Sequence, residues 1–294
     1  MNVSEMENLI ESEYEKYITV EGMKIRYIVK GAGSPLLLLH GFGEFLETWD
    51  FNIRPLSEHY RVYAMDLPGH GLSDKPEVAY NIFFFTRFVT NFMHALGIDR
   101  ASIIGHSVGG AISINIAVSF PEIVDKLILE ASSGLSNDVS VLHNMCCIPV
   151  LGGDDTEESA VTVALEQRMK KEFYNPDFVA KDIVGISYRF TQMPEVRRVL
   201  LSILHNSVNV NGLRPEMVML DRLYQVKSPT LFIHGVQDSI NPLELSQNAC
   251  RLVPNAKLKV IDECGHYSHI EKAAEFNEAV ISFLKANEPD SLSV

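Results

Sequence analysis

Short, almost wholly apolar runs recur through the first half of the chain, each closed by a polar or glycine-rich turn, and they limit the fold more than any other feature. Pro35 to His40, Arg61 to Asp66, Ala101 to Gly105 and Val124 to Glu130 are of this kind. Runs without a polar alternation suit strands covered on both faces, which is the situation inside a parallel sheet. Met23 to Lys30 alternates in strand fashion. Between the runs, Phe83 to Leu96 and Val108 to Phe120 carry helical spacing, and Pro121 stops the second because proline cannot extend a helix. Strand and helix in alternation predict a parallel sheet with right-handed crossovers.

The alternation stops after Gly134. For roughly 85 residues helical patterns run without clear strands, and so long a stretch implies helices of its own rather than one loop. Val161, Leu165, Met169 and Phe173 recur at every fourth position. Pro194 is placed to open another helix, with Val196, Leu200, Ile203 and Leu204 as its apolar stripe. Strand-like runs return at Pro229 to His234 and Ala256 to Ile261, before a last helix from about Lys272 to Lys285. The predicted organisation is one core in two parts, residues 1–133 and 227–294, with a helical cap at 134–226 between them.

Composition narrows the partners. The 294 residues are 46% hydrophobic and 21% charged, as in a soluble globular protein. A formal charge of −13 repels phosphate backbones and anionic lipid, so neither nucleic acid nor a membrane surface is an expected partner. No segment is apolar for long enough to span a bilayer, and the Glu-rich start lacks the pattern of a secretion signal. A cytoplasmic location is therefore expected. Cys146, Cys147, Cys250 and Cys264 show no framework spacing and read as free thiols.

The chemistry centres on Gly105-His106-Ser107-Val108-Gly109, followed by Gly110 and Ala111. It lies between an apolar run and a helical pattern, the context of a nucleophile elbow. There the turn strains the serine, small neighbours let strand and helix approach, and the helix start favours negative charge. A serine hydroxyl needs a base. Among ten histidines, His266 lies just beyond the last strand and is the expected base. His106 is expected to point elsewhere, His40 and His234 to serve structure, and His269 to start a helix. Asp238, directly after the run Leu231 to His234, is the expected acid that orients the imidazole, with Glu130 as an alternative. The backbone N–H groups of Val108 and Phe42, the latter in His40-Gly41-Phe42-Gly43, are the expected oxyanion donors. The grouping of His266, His269 and Glu271 lacks the further ligands a zinc site needs, and no nucleotide motif occurs, so no metal or cofactor is expected.

Taken together these motifs resemble the α/β-hydrolase superfamily, in its capped esterase, lipase and C–C hydrolase branches. Trp49, Asp66-Leu67-Pro68-Gly69-His70-Gly71-Leu72-Ser73 and the stretch from Gly265 to Glu271 complete the resemblance, with the chain order Ser107, Asp238, His266. It implies an eight-stranded, mostly parallel sheet with a helical cap over the site. Relatives that open epoxides or remove halides carry aspartate where this chain has Ser107. The turn after His40 lacks the proline common in ring-cleavage-product hydrolases, and Ala273 replaces a frequent proline. The expected activity is hydrolysis of a small or medium apolar carboxylic ester through an acyl-enzyme. Cleavage of a diketone-type C–C bond is the alternative, and a ligand receptor on the same pocket is the non-enzymatic one. Met145, Met169, Phe173, Tyr188, Phe190 and Met193 are the cap residues offered as candidates to line an apolar pocket.

Overall fold

Eight strands form one sheet in the order β1-β2-β4-β3-β5-β6-β9-β10. They are β1 (Glu15–Val20), β2 (Met23–Lys30), β3 (Pro35–Leu39), β4 (Arg61–Met65), β5 (Ala101–His106), β6 (Val124–Glu130), β9 (Thr230–Gly235) and β10 (Lys257–Ile261). In this computed structural model residues 14–136, 170–176, 185–187, 189–190, 192–209 and 212–286 are described. β2 pairs antiparallel with both β1 and β4; every other pairing is parallel. This is the α/β-hydrolase arrangement that the resemblance implies.

The apolar runs become strands because both faces of the sheet are covered. Leu37, Leu39, Ile103, Leu127, Leu129 and Phe232 face one core cluster, while Leu36, Leu38, Ile104, Ile128, Leu231 and Ile233 face the other. Burying a leucine or isoleucine side chain contributes about 1.5–3 kcal/mol, so these central strands hold the sheet together. The described residues also form helices α1 (Asp50–Ser57), α2 (Ile82–Ala95), α3 (Val108–Ser119), α4 (Pro194–Ser207), α5 (Leu243–Leu252), α6 (Ser268–Glu271) and α7 (Ala273–Lys285). α3 is buried from Val108 through Ala117, the behaviour of a helix apolar on all sides. No helix among the described residues is long and apolar enough to cross a membrane.

Register brings the candidate residues to one rim. Leu39 pairs with Gly105, His106 with Glu130, Glu130 with Ile233, and Gly235 with Ile261. The carboxyl ends of these five strands are thereby aligned, and the residues just beyond them include Phe42, Ser107, Ser133, Asp238 and His266.

β6 and β9 are parallel neighbours in the sheet although about a hundred residues separate them in sequence, so the intervening chain is inserted at one point of the strand order. Within it α4 forms as its stripe predicts, with Val196, Leu200, Ile203 and Leu204 all buried. A feature the sequence reading lacked is the small hairpin of β7 (Val208–Asn209) and β8 (Gly212–Leu213). Strands of two residues are too short to display a period-two pattern. Phe173 is buried, whereas Val161, Leu165 and Met169 lie outside the described residues. Cys250 and Cys264 are free thiols; Cys146 and Cys147 lie outside the described residues.

The tight crossing of β3 and α3 at Gly109 yields a direct prediction. A Cβ there would sit 2.3 Å from the Leu39 carbonyl oxygen and 2.6 Å from that of His40, both backbone atoms that cannot step aside. Gly109→Ala is expected to lower unfolding free energy by about 3 kcal/mol in urea titration, the upper range for overpacking. A change within about 0.5 kcal/mol would contradict this contact.

Candidate active site

Ser107 joins β5 directly to α3 and adopts φ 51° and ψ −114°, a left-handed backbone that side chains rarely occupy. Its neighbours hold it there. The Ser107 N–H donates to the Glu130 carbonyl at 3.0 Å, and the Ser107 carbonyl accepts from Ser133 N–H at 2.9 Å and Gly110 N–H at 3.0 Å. The side chain is thereby raised at the start of a helix whose first N–H groups have no intrahelical acceptor.

Asp238 and His266 come together at the same rim. Asp238 Oδ2 accepts from His266 Nδ1 at 2.8 Å, and both side chains are nearly out of solvent. The carboxylate's other oxygen accepts from Ile240 N–H at 2.8 Å and Asn241 N–H at 3.0 Å. His234 Nε2 lies 3.2 Å from Oδ2. Burial alone would raise the Asp238 pKa, but the charge of His266 and hydrogen bonds from His234 and His266 outweigh it and hold the carboxyl well below its ordinary range. An ionised carboxylate only accepts, so Nδ1 of His266 carries a hydrogen, and the tautomer this selects is the one with its lone pair on Nε2.

The Ser107 hydroxyl itself differs from the sequence expectation. It lies 3.3 Å from Ser133 Oγ, and no hydrogen bond joins it to His266. Ser133, in the turn after β6, was not among the expected site residues. A serine three positions beyond a strand end carries no distinctive sequence signal, and only the fold reveals the contact.

His266 is fixed through its backbone as well. Its N–H donates to the Glu172 carbonyl at 2.7 Å, and its carbonyl lies 3.2 Å from His106 Nε2. His106 Nδ1 lies 3.1 Å from Glu44. Burial would lower the His106 pKa, yet Glu44 and Glu130 prevail and raise it to about 9. For Glu44 burial pushes upward, but His106 prevails and the carboxyl is held well below its usual range. Glu44 also accepts from Gly41 N–H at 2.7 Å, shaping the turn that carries Phe42. One buried ion pair thus ties the expected oxyanion turn to the elbow.

Glu130, the alternative acid, is committed elsewhere. Its Oε1 accepts from Ser268 Oγ at 2.5 Å, His269 N–H at 2.8 Å and His269 Nδ1 at 3.0 Å. His269 is therefore more than a helix-start residue, which its position alone could not disclose. Among the described residues His106, Glu130 and His269 gather potential metal-ligand atoms within 4.8 Å; His106 engages Glu44 and the His266 carbonyl, and Glu130 engages Ser268 and His269, while Glu130 Oε2 and His269 Nε2 have no hydrogen-bond partner there. Glu271 accepts from the backbone N–H groups of Gly265, Tyr174 and Asn175, so the grouping of His266, His269 and Glu271 does not converge.

Beside the elbow lies a cavity of about 480 Å³, counting the space at its mouth. Phe42 and Val108 border it with Ser133, and its apolar walls include Ile203, Leu204 and Met217. Neither Phe42 N–H nor Val108 N–H is engaged by another group among the described residues. The cap candidates are placed otherwise: Phe173 stacks on Tyr267, Phe190 packs on Phe45, and Met193 is exposed. Aromatic core partners claim the first two. Met145, Met169 and Tyr188 lie outside the described residues.

The His106 charge makes stability depend on pH. Because the folded pKa is raised, its contribution is complete below pH 6.5 and is lost as pH rises through about 9. Unfolding free energy is expected to fall across this window by an amount on the order of 2–3 kcal/mol, and Glu44→Gln to flatten the fall while lowering stability at pH 6. An unchanged slope in Glu44→Gln would contradict the pairing.

Comparison with known proteins agrees with the fold. A family profile for the alpha/beta hydrolase fold matches residues 34–145 and 165–273. The chain is 31% identical to the 2-hydroxy-6-oxo-6-(2'-aminophenyl)hexa-2,4-dienoic acid hydrolase of Metapseudomonas resinovorans, over 93% of this chain and 92% of that one. Among solved structures, a meta-cleavage product hydrolase from Pseudomonas fluorescens shares 26% identity at TM-score 0.78, covering 92% of this chain and 98% of that one. A putative lipase from Acinetobacter baumannii shares the fold at TM-score 0.84 and 20% identity, over 97% and 96% of the two chains. With its sheet order, its strained elbow serine and this match over most of its length, the chain is a hydrolase of the alpha/beta hydrolase family.

Proposed function

We propose that the protein hydrolyses carboxylic esters of small or medium apolar molecules through an acyl-enzyme formed on Ser107. The observation that supports this most is the buried Asp238–His266 pair, 2.8 Å apart, at the rim where the strained Ser107 backbone raises a hydroxyl. The hydroxyl swings from Ser133 to Nε2 of His266, a motion this reading requires; catalytic hydrogen bonds are often loose before substrate binds. Ser107 Oγ then attacks the ester carbonyl while its proton passes to Nε2. Asp238 stabilises the resulting imidazolium, and the N–H groups of Val108 and Phe42 meet the developing oxyanion. Collapse expels the alcohol, which takes the proton from Nε2. Water, deprotonated by the same nitrogen, releases the acid and restores Ser107. Residues 134–226 act as a cap in this reading, and α4 and the β7–β8 hairpin supply the cavity's outer wall.

A second reading, cleavage of a carbon–carbon bond in a vinylogous diketone acid, is favoured by the names of the M. resinovorans and P. fluorescens proteins. The ester reading is preferred because no ionised side chain lines the cavity among the described residues, leaving a substrate carboxylate without a cationic partner there.

Chromogenic esters of graded chain length, assayed beside a vinylogous diketone acid, separate the two. Ester turnover is expected to rise with chain length until the cavity is filled. Ser107→Ala should cut it by up to about 10⁶-fold, and Asp238→Asn by about 10⁴-fold. Efficient cleavage of the diketone acid, with kcat/KM above that of every ester, would overturn the ester assignment.

A further inference from the structure

We propose that the cavity selects substrates bearing a hydroxyl group on an otherwise apolar chain, and that Asn241 is the residue that reads it. The proposal rests on the Ser107 chemistry above and names the substrate class of that same site.

Asn241 borders the cavity and is 1% exposed. Its position is over-determined. The backbone N–H donates to Asp238 at 3.0 Å, the backbone carbonyl accepts from His234 Nε2 at 2.7 Å, and Nδ2 donates to the Ala131 carbonyl at 2.8 Å. The last contact fixes the orientation of the amide, because a carbonyl can only accept and so must face the NH₂ end. Oδ1 is then the free end of the amide, buried and without a hydrogen-bond partner among the described residues. A buried carbonyl oxygen left without a donor is costly, and an amide held through Nδ2 on a backbone itself fixed at two points cannot turn away to find one without breaking that bond.

The chemistry of the lining defines what meets it. Oδ1 accepts only, so its complement is a donor. No ionised side chain lines the cavity among the described residues, so that donor is neutral rather than an ammonium. A hydroxyl supplies one donor for this one acceptor, and its own lone pairs face a lining that includes the hydroxyl residues Ser133 and Ser207. Ile203, Leu204, Leu213 and Met217 take the remainder of an apolar chain. Sites that hydrogen-bond a substrate hydroxyl reject the analogue lacking it far more strongly than an apolar pocket rejects a missing methylene.

The test uses matched ethyl esters of medium chain length, plain or with one hydroxyl moved carbon by carbon along the acyl chain, and a parallel set with the hydroxyl on the alcohol. The wild-type protein is expected to favour one hydroxyl position by at least about tenfold in kcat/KM over the plain ester. Asn241→Leu, close in volume but unable to accept, should bring that ratio to about one, and Asn241→Asp, which keeps an acceptor, should retain part of it. The same pairs titrated into Ser107→Ala by calorimetry read the preference as binding, independently of turnover. Full turnover by Ser107→Ala sinks the catalytic reading while leaving the binding preference measurable. No preference at any position in wild-type turnover or in Ser107→Ala binding overturns the Asn241 proposal, as does a preference that survives Asn241→Leu.

Discussion

The left-handed backbone of Ser107 is the constraint around which the rest of the molecule is arranged. A residue with a side chain at φ 51° costs on the order of 1–3 kcal/mol, and the surrounding structure has to impose it. β5 and β6 anchor one side through the Glu130 carbonyl, and the turn carrying Ser133 anchors the other. Gly105 and Gly109 allow β5, β3 and α3 to close around the turn. A Cβ on Gly105 would come within 2.4 Å of both the Gly109 carbonyl oxygen and Ser113 Oγ. The strain therefore rests on the central strands, which are buried on both faces.

Around that turn, carboxylates are buried against imidazoles rather than alone. Glu44 with His106, Glu130 with His269, and Asp238 with His266 each place a carboxylate on an imidazole below the sheet rim. Breaking one such pair leaves a buried charge without a partner, so each resists rearrangement strongly even where its net contribution to stability is small. The pairs have separate tasks. Glu44 shapes the turn at Gly41, Glu130 holds the start of α6, and Asp238 sets the tautomer of His266. His106 contacts Glu44 and the backbone of His266, which links the turn at Gly41 mechanically to the imidazole.

The parts of this arrangement legible in the sequence are those carried by local patterns. The double-sided apolar runs around Leu37, Ile103 and Leu129 announce a parallel sheet, and Gly105 to Gly110 announce the elbow. The position of Asp238 after β9 and of His266 beyond β10 follows from knowing that parallel strands share a rim. What local patterns cannot carry is a contact between side chains that are remote in sequence. Ser133, Glu44 and Asn241 reach the site through tertiary packing alone, and nothing adjacent to them in the chain signals it. The cavity walls illustrate the same limit. Phe173 and Phe190 are as apolar as Ile203 and Leu204, yet aromatic partners at Tyr267 and Phe45 take the former into the core. The hairpin at Val208–Leu213 escaped because two-residue strands have no period to read.

The central claim is that Ser107, and no other serine, is an activated nucleophile. Reaction with a fluorophosphonate, read by intact mass and peptide mapping, tests this without assuming any substrate. The account predicts one adduct per chain, located on the peptide containing Ser107, absent in Ser107→Ala and strongly slowed in His266→Ala. An unreactive protein, an adduct on a different residue, or labelling undiminished by loss of the His266 imidazole would contradict it.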